Sequence, residues 1–281
     1  MWDNTTAIKP FLRWAGGKTW LLKHIKQITG NIKFNNYHEP FLGGGAVFFS
    51  NTLIKIAFLS DLNEELINTY QVIKENPEEV ISILKTYDNN EDFYYYLRKE
   101  KPIDKKVCAA RFIYLNHTSF NGIYRVNKNG DYNVPYGFRN VDYIEEEKIR
   151  SASSALQKAN IFHGDFIDSL DNIKSGDLVF LDPPYTVSHN NNGFIKYNKT
   201  LFSLEDQIRL SKFIDSVKDK GAYYILTNAA HKIILEIFEK GDYCYELSRT
   251  SLIGGDKAKR GVVSEYIFTN ISGVGLDEFL R

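Results

Sequence analysis

Short apolar runs that end in an acidic residue recur along this chain, with helical stretches between them. Ile54–Leu59 ends at Ser60 and Asp61, and Asp177–Leu181 ends at Asp182. Uninterrupted apolar runs of this length are typical of strands that are buried on both faces of a parallel sheet. Because neighbouring parallel strands need a crossover, usually a helix, the alternation predicts a doubly wound α/β fold.

The remaining elements continue the same rhythm along the chain. Further strands are predicted at Tyr37–Glu39, Ile161–Phe162, Tyr223–Leu226, Tyr243–Leu247 and Glu265–Thr269, and helices at Leu21–Ile28, Ala46–Phe49, Glu64–Lys74, Glu78–Tyr87, Leu204–Val217 and His231–Glu239. The helix that begins at Leu204 has the clearest start, because Ser203 can cap it and Glu205 suits its positive end.

The stretch from about residue 89 to residue 150 has a different character, and we interpret it as an insertion in the main sheet. It is aromatic, basic and helical up to His117. Asn129-Gly130 then lies between two β-like runs, Ile123–Lys128 and Asp131–Pro135. An Asn-Gly pair in this setting favours a two-residue hairpin loop.

Charge is unevenly distributed, although the formal net charge is zero. The segment from Arg98 to Arg139 contains nine basic and three acidic residues. The segment from Lys9 to Lys33 contains six basic residues and no acidic one. A local basic patch, not the total charge, decides whether a protein can contact phosphates. Composition therefore leaves a nucleic-acid partner open.

Composition also bears on the compartment and on metals. Cys108 and Cys244 lie far apart with no CxxC spacing, which fits a reducing cytoplasm. The histidines show no zinc-type spacing, so no metal site is expected. No run approaches the ~18 apolar residues of a membrane helix, and the polar start lacks a signal-peptide pattern, so no membrane association is expected.

Asp182-Pro183-Pro184-Tyr185 follows directly on an apolar strand, at the sheet edge where open α/β folds bind ligands. The prolines stiffen the backbone and remove two N–H donors, so carbonyls there can act only as acceptors. Asp182 and one such carbonyl can accept the hydrogens of an amino group on a flat heterocycle, while Tyr185 can stack on its ring. The alternative is an ordinary strand-end aspartate beside a stiffened loop; the uninterrupted strand before it favours a catalytic motif.

Glycines and acids at other strand ends indicate a cofactor pocket. The run Gly43-Gly44-Gly45 follows the first strand and lets the backbone approach a bound molecule, although a plain tight turn would look the same. It matches neither GxGxxG nor a GxxxxGK[ST] phosphate loop. Asp61 could bind ribose hydroxyls and Asp165 an adenine ring, although an acid of this kind taken alone is more often a solvated loop residue or a helix cap.

Two more segments carry candidate binding residues. Trp14 could line the cofactor pocket, with Lys18 close to a carboxylate, although a lone tryptophan near a terminus is usually a packed aromatic. In the predicted hairpin, Arg125 could read guanine in the major groove and Phe120 could wedge into the base stack. The alternative is a surface hairpin that packs on its own domain.

Taken together, these motifs resemble the Dam family of DNA adenine methylases. Arg13–Lys18, Glu39–Gly45, Asp61–Asn63, Asn121–Arg125, Asn133–Gly137, Gly164–Phe166 and Asp182–Tyr185 occur in the order found there. The resemblance covers nearly the whole chain. It implies a Rossmann-like methyltransferase core built from residues 1–75 and 151–281, S-adenosyl-L-methionine (AdoMet) as methyl donor, and an inserted helical plus β-hairpin target-recognition domain at 76–150.

The resemblance also implies the reaction and the residues that serve it. The expected activity is site-specific methylation of N6 of an adenine that flips out of double-stranded DNA, in GATC or a longer site containing GAT. The residues implied are Asp182, Pro183, Pro184 and Tyr185 for catalysis; Trp14, Lys18, Gly43, Gly45, Asp61, Asp165 and Asp182 for AdoMet; and Arg13, Phe120, Asn121, Ile123, Arg125, Lys128 and Pro135 for DNA.

Some alternatives stay open. Ser188–Phe194 and Gly254–Arg260 depart from the best-known members of the family, and both could touch DNA. A related RNA or protein methyltransferase is disfavoured by the large basic insertion. A catalytically silent DNA-binding protein on the same scaffold is disfavoured by the intact Asp182. The sequence leaves open whether a cognate restriction endonuclease accompanies the enzyme, and whether it is a monomer or a weak dimer.

Overall fold

The computed structural model describes residues 8–51, 54–127, 129–138, 142–186, 202–250 and 262–272. The α-helices in this part of the chain are α1 Leu22–Thr29, α2 Ala46–Ser50, α3 Glu64–Glu75, α4 Pro77–Leu84, α5 Glu91–Lys99, α6 Lys105–Thr118, α7 Glu146–Leu156, α8 Leu204–Asp219 and α9 Lys232–Phe238. The strands are β1 Tyr37–Glu39, β2 Ala57–Asp61, β3 Ala159–His163, β4 Leu178–Leu181, β5 Tyr223–Ala229, β6 Tyr243–Thr250 and β7 Val262–Thr269.

The strands form one seven-stranded sheet in the order β3-β2-β1-β4-β5-β7-β6. β2 pairs in parallel with β3, and β4 pairs in parallel with both β1 and β5. β7 runs antiparallel to both β5 and β6. The predicted doubly wound, Rossmann-like α/β fold is therefore confirmed. The strand order reverses between β1 and β4, the kind of switch point at whose carboxyl ends such folds bind ligands.

Two local features differ from the sequence predictions. The second strand begins at Ala57, not at Ile54, because Lys55 and Ile56 form a bend and pairing with β3 starts only at Ala57. Helix α7 is absent from the predictions, although Ile149, Ala152 and Leu156 recur at helical spacing and are buried.

The chain divides into two compact units. Unit 1 comprises Met1–Lys23 and Leu42–Asp165, and unit 2 comprises His24–Phe41 and Phe166–Arg281. This division by contacts differs in kind from the predicted division by function, into a core of 1–75 with 151–281 and a recognition domain at 76–150. The functional boundaries stay a prediction.

The core of unit 2 lies between helix α8 and the strands β4 and β5. Leu210, Phe213, Ile214 and Val217 form the predicted apolar face of α8 and pack into one buried cluster with side chains of those strands. The start of the helix is also as predicted, since the Ser203 hydroxyl accepts the backbone N–H of Asp206 in a capping box. This packing fixes the carboxyl end of β4, and Asp182 is the residue that follows this strand.

In unit 1, the chain reversal at Asn129-Gly130 is not the predicted two-residue hairpin loop. The Gly130 N–H donates to the carbonyl of Asn127 at 3.0 Å, and the Asn127 N–H donates to the carbonyl of Asp131 at 2.8 Å. Three residues therefore separate Asn127 from Asp131. The physical reason is twofold: Gly130 takes the left-handed position of a three-residue loop with φ +81°, and the Asn127 side chain accepts the Asp131 N–H.

The predicted strands that flank this turn are not regular strands. They are reduced to two isolated antiparallel bridges, Val126 with Tyr132 and Ser119 with Tyr136. Buried tyrosines hold the segment in place of a ladder: the Tyr132 hydroxyl donates to the Ile123 carbonyl at 2.8 Å, and the Tyr94 hydroxyl donates to the Val134 carbonyl at 2.9 Å. One side-chain bond from helix α5 and one from within the segment therefore help to fix its shape, which a local strand pattern cannot predict.

Candidate active site and DNA interface

The carboxylate of Asp182 is oriented by its neighbour on the next strand. The Thr227 hydroxyl donates to Asp182 Oδ1 at 2.8 Å. The parallel register pairs Leu181 with Leu226, so the residues that follow them stand side by side. Thr227 is buried, whereas Asp182 keeps partial exposure. A fixed acceptor thus stands at the end of β4, where the sequence predicts it.

Tyr185 is anchored through its hydroxyl. That group donates to Glu265 Oε2 at 2.6 Å, and Glu265, on β7, is only 1% exposed. The residue as a whole is half-buried, and its hydroxyl is held inside by this bond. Burial, together with the charges of Asp182 and Glu265, raises the pKa of Tyr185 well above its ordinary value. The phenol therefore stays protonated and remains a donor to Glu265.

A chain of buried polar side chains fixes the backbone that follows the motif. The Gln207 amide donates to Thr186 Oγ1 at 2.9 Å and accepts from the Asn228 amide at 3.0 Å. The Thr186 hydroxyl in turn donates to the carbonyl of Phe202 at 2.8 Å. The side chains of Gln207, Thr186 and Asn228 are each fully buried and hydrogen-bonded, so this network rigidifies the backbone after Tyr185 instead of weakening the core.

In unit 1, Asp61 closes the glycine turn. Its Oδ2 accepts the N–H of Gly43 and its Oδ1 accepts the N–H of Asn63, each at 2.9 Å. Burial raises the pKa of the Asp61 carboxyl, and these backbone bonds oppose the rise. A half-buried carboxylate whose two oxygens keep further lone pairs can accept hydroxyl groups of a ligand.

The predicted cofactor residues of unit 1 are close neighbours. A Cβ at Gly43 would lie 2.7 Å from Trp14 Nε1, and one at Gly44 would lie 2.8 Å from Trp14 Cβ, so only glycines admit this indole against the turn. The other side of Trp14 stacks on Tyr124, with ring centroids 5.6 Å apart. Gly45 has φ +65° and precedes helix α2.

Lys18 and Asp165 occupy the margins of this group. Lys18 is buried, and its Nζ donates to the carbonyl of Gly16 at 2.9 Å. Asp165 is half-buried beyond the end of β3. Its preceding residue, Gly164, donates its N–H to the carbonyl of Asp61 at 3.3 Å, which brings the two strand ends together.

The predicted DNA-binding residues also lie together in unit 1. The backbone of Arg13 exchanges two hydrogen bonds of 2.8 Å with the side chain of Asn116, at the end of α6. The Arg13 side chain then lies against Gly122, where a Cβ would approach Nε to 2.6 Å. Gly122 has φ +63°, so the bare glycine both permits the turn and leaves room for the arginine.

Around this turn the backbone presents several of the other predicted residues to solvent. Phe120 is 53% exposed, and its N–H donates to the carbonyl of Pro135 at 2.9 Å. Asn121 is exposed with φ 57°, in the left-handed region that non-glycine residues seldom adopt. Ile123 is half-buried and Pro135 exposed. An exposed, fixed aromatic beside a strained asparagine is a suitable wedge for a base stack.

Arg125 is exposed and already oriented within the protein. Its Nε donates to Asn133 Oδ1 at 2.7 Å, and its Nη2 donates to the Asn133 carbonyl at 3.3 Å. A guanidinium has five N–H donors, so these bonds leave others for a base edge. Lys128, also predicted to bind DNA, lies outside the described residues, as do Ser188–Phe194 and Gly254–Arg260.

The basic excess from Arg98 to Arg139 is not simply an open phosphate-binding patch. Arg98 and Arg111 donate to backbone carbonyls, at 2.9 Å to Val134 and at 3.0 Å to Leu97 respectively. Lys101 pairs with Asp131 at 2.6 Å, and Lys106 pairs with Glu79. Much of this positive charge therefore organises the fold of unit 1.

Sequence reasoning missed Thr227, Gln207 and Glu265. Thr227 directly follows the predicted strand Tyr223–Leu226, as Asp182 follows its own predicted strand, although β5 continues to Ala229. Gln207 is a polar residue in the apolar stripe of α8, in line with Leu210, which signals a buried polar contact. Glu265 is an acid in a buried strand, and its partner Tyr185 lies 80 positions away, a pairing that only the tertiary structure reveals.

The described residues contain neither a metal-binding cluster nor a membrane-spanning helix. No group of three or more His, Cys, Asp or Glu side chains there is arranged to hold a metal ion. Nor does any helix among them have the length and apolarity that are needed to cross a bilayer.

Comparison with known proteins bears out the resemblance noted in the sequence. The sequence model of the D12 class N6 adenine-specific DNA methyltransferases matches residues 14–252, a span that contains the motifs described above except for Arg13, which lies just before it. The chain belongs to this family. The Dam-type relationship is thereby confirmed, and with it the chain's place among methyltransferases that act on DNA adenine.

Individual relatives agree with the family assignment. The chain is 36% identical to the Type II methyltransferase M1.LlaDCHI of Lactococcus lactis over 95% of its own length and 97% of that protein. It is 31% identical to the DNA adenine methylase of Haemophilus influenzae over 82% of both chains. A solved structure of a putative methylase from the same organism aligns over 93% of this chain and 92% of its own, at 12% identity and a TM-score of 0.37, a likeness too distant to carry an argument.

Proposed function

We propose that this protein transfers a methyl group from AdoMet to N6 of adenine in double-stranded DNA, the reaction of a site-specific adenine DNA methyltransferase. The observation that carries the proposal is the strand-end acceptor Asp182, oriented by Thr227 and followed by two prolines and the anchored Tyr185. Such an arrangement suits a planar amine, and the family assignment makes adenine in DNA the substrate class.

The residues of unit 1 fit AdoMet. The glycine turn, the indole of Trp14 and the Asp61 carboxylate offer a close backbone, an aromatic wall and an anionic acceptor for ribose hydroxyls. Gly45, Lys18 and Asp165 complete this set, and Asp182 is the cofactor residue proposed from unit 2. When bound, AdoMet supplies a methyl group activated by a sulfonium centre, so no covalent intermediate with the protein is needed.

The chain's own residues position and orient the target amine. Once the adenine has left the helix, at a cost of a few kcal/mol, Asp182 accepts one N6 hydrogen and a carbonyl beside Pro183 or Pro184 accepts the other. Holding both hydrogens directs the nitrogen lone pair toward the methyl group, while the ring of Tyr185 stacks on the base. The contribution of the protein is then orientation and exclusion of water.

Recognition of the site is assigned to the exposed residues around the turn of unit 1. Arg13 and Arg125 are proposed to read guanines, Ile123 and Pro135 to contact a thymine methyl, and Phe120 with Asn121 to enter the base stack. Lys128 is proposed to contact a phosphate. Its removal should weaken DNA binding at all sequences equally. Two guanine readers around an adenine–thymine step suit GATC or a longer site that contains GAT.

The proposal includes the functional boundaries and the setting of the enzyme. Residues 1–75 and 151–281 form the methyltransferase core, and 76–150 form the target-recognition domain. A cytoplasmic location is consistent with the two free cysteines, Cys108 and Cys244. A cognate restriction endonuclease is a candidate partner, because the Lactococcus relative is named as a Type II methyltransferase.

The test is methyl transfer from labelled AdoMet to short duplexes that differ only in the central GATC, together with long-read sequencing of modified adenines in a methylation-deficient host. Wild-type protein should label GATC duplexes, and Asp182→Ala should abolish labelling without loss of folding. Asp219→Ala, at the exposed end of α8, is the matched control and should keep wild-type activity. No label in adenine, or undiminished turnover by Asp182→Ala, would refute the proposal.

A further inference from the structure

Glu265 is a buried carboxylate to which the proposed reaction assigns no task. It lies on β7 opposite Ala229 of β5, two positions along β5 from Thr227. Alternation along a strand therefore places Glu265 and Thr227 on the same face of the sheet. From that face Glu265 receives the Tyr185 hydroxyl at 2.6 Å, and Thr227 binds Asp182. Unit 2 thus holds two carboxylates on either side of one tyrosine.

Burying a carboxylate is costly, and a hydroxyl or an amide could also accept the phenol's hydrogen bond. A carboxylate differs from those two acceptors in the negative charge that it can carry. A phenol that donates to a carboxylate gains electron density on oxygen and, through it, on the ring. The ring face of a tyrosine is already negative and attracts cations, an attraction that grows when water is excluded.

The target amine becomes cationic during methylation, and the negative face of such a ring stabilises a cation. Its nitrogen donates an electron pair to the methyl carbon while the breaking bond leaves its own pair on sulfur, so the positive charge moves from sulfur to nitrogen. The charge disappears when nitrogen releases a proton to Asp182 or to water. Stabilisation that is present only while nitrogen is cationic lowers the barrier and not the dissociation constant of the substrate.

We propose that Glu265 is a positioning residue for methyl transfer: its charge, acting through the hydroxyl of Tyr185, holds the ring and makes its face more negative toward the methylated amine. This rests on the proposed function, since it needs an adenine stacked on Tyr185. The raised pKa of Tyr185 supports it, because the phenol keeps its proton and remains the donor in this hydrogen bond.

The first test replaces Glu265 with glutamine, which keeps an acceptor for Tyr185 and removes the charge. The single-turnover rate of methylation on a GATC duplex should fall about threefold, which is less than the loss of a whole cation–π contact would cause, because the Tyr185 ring stays in place. The dissociation constants of DNA and AdoMet should stay within about twofold of wild type. Glu246→Gln, on the exposed face of the neighbouring strand β6, is the matched control and should change neither.

The second test separates this role from a purely structural one. In a Tyr185→Phe background the charge has lost its hydroxyl link, so Glu265→Gln should slow the reaction far less than in wild type. If Glu265→Gln alone folds poorly, the double variant is compared with Tyr185→Phe, and the two single-turnover rates should be equal. Equal effects in the two backgrounds, or an unchanged single-turnover rate in a folded Glu265→Gln, would overturn the inference.

The outcomes also distinguish this inference from the proposed function. If wild-type protein transfers no methyl group to adenine in any duplex, the proposed function fails. If wild-type protein methylates adenine and Glu265→Gln does so equally fast, only the role of Glu265 fails.

Discussion

Asp61 is the residue where the glycine turn and the proposed AdoMet site can be tested together. Its two oxygens each accept one backbone N–H at 2.9 Å, from Gly43 and from Asn63. Asp61→Ala removes these acceptors and also the group proposed to bind the ribose. The substitution should therefore loosen the glycine turn against Trp14 and also remove the contact between the ribose and the carboxylate.

The size of the effect follows from the bonds involved. A hydrogen bond to a charged group contributes ~1.5–3 kcal/mol, and each ~1.4 kcal/mol is a factor of about ten in affinity. Loss of one ribose contact should thus weaken AdoMet binding by about ten- to a hundredfold, and loss of two by more. DNA binding measured without AdoMet should change little.

The charge of Asp61 can be separated from its hydrogen bonds by Asp61→Asn, which keeps one acceptor oxygen. Burial raises the folded-state pKa of this carboxyl above its ordinary 3.8, so the folded state holds its proton at pH values where the unfolded chain has released it. The contribution of Asp61 to stability therefore falls as pH rises from about 3.8 through the folded pKa. Relative to wild type, the asparagine variant should become more stable across that window.

Calorimetry of AdoMet binding and urea unfolding at several pH values measure these two effects. Asp92→Ala, an exposed acid in the first turn of α5, is the control and should leave AdoMet affinity unchanged. Unaltered AdoMet affinity in a folded Asp61→Ala protein would refute the assignment of this residue to the cofactor site. A stability difference between wild type and Asp61→Asn that does not vary with pH would refute the electrostatic reasoning.

Three further substitutions probe the rest of the machinery. Thr227→Val removes the donor to Asp182 with little change of shape and should slow single-turnover methylation by about ten- to a hundredfold, the range for a lost hydrogen bond to a charged group. A rate equal to wild type would show that Asp182 needs no such support. Gly122→Ala adds a Cβ only 2.6 Å from Arg13 Nε, at a residue with φ +63°, and should reduce DNA affinity in a binding titration. Gly241→Ala, also at positive φ but in open space, should not. Arg125→Ala should cost about 1–3 kcal/mol of discrimination at one outer base pair and spread methylation to near-cognate sites in long-read sequencing, and an unchanged site preference would remove it from base reading.

Apolar runs that end in polar residues are a local signal, so the strand ends and helix starts that depend on them are predictable from the sequence. The strand ends at Asp61 and Asp182, the helix that Ser203 caps, and the doubly wound sheet follow from the alternation of strands and helices, because periodicity and capping act over a few residues. The motif set also sufficed for the family, since membership depends on order along the chain and not on geometry.

Only the tertiary structure decided which side chains meet. The hydroxyl of Tyr185 reaches Glu265 across the sheet, and buried Gln207 links Thr186 to Asn228, contacts that no local pattern encodes. The turn at residues 129–130 shows the same limit. An Asn-Gly pair favours a two-residue loop, but here the Asn127 side chain accepts the Asp131 N–H and a three-residue loop results, while Tyr94 of helix α5 binds the flanking backbone at Val134. Local propensity is worth a fraction of a kcal/mol per residue, whereas a buried hydrogen bond left unmade costs about 1–3 kcal/mol, so long-range contacts prevail where the two disagree.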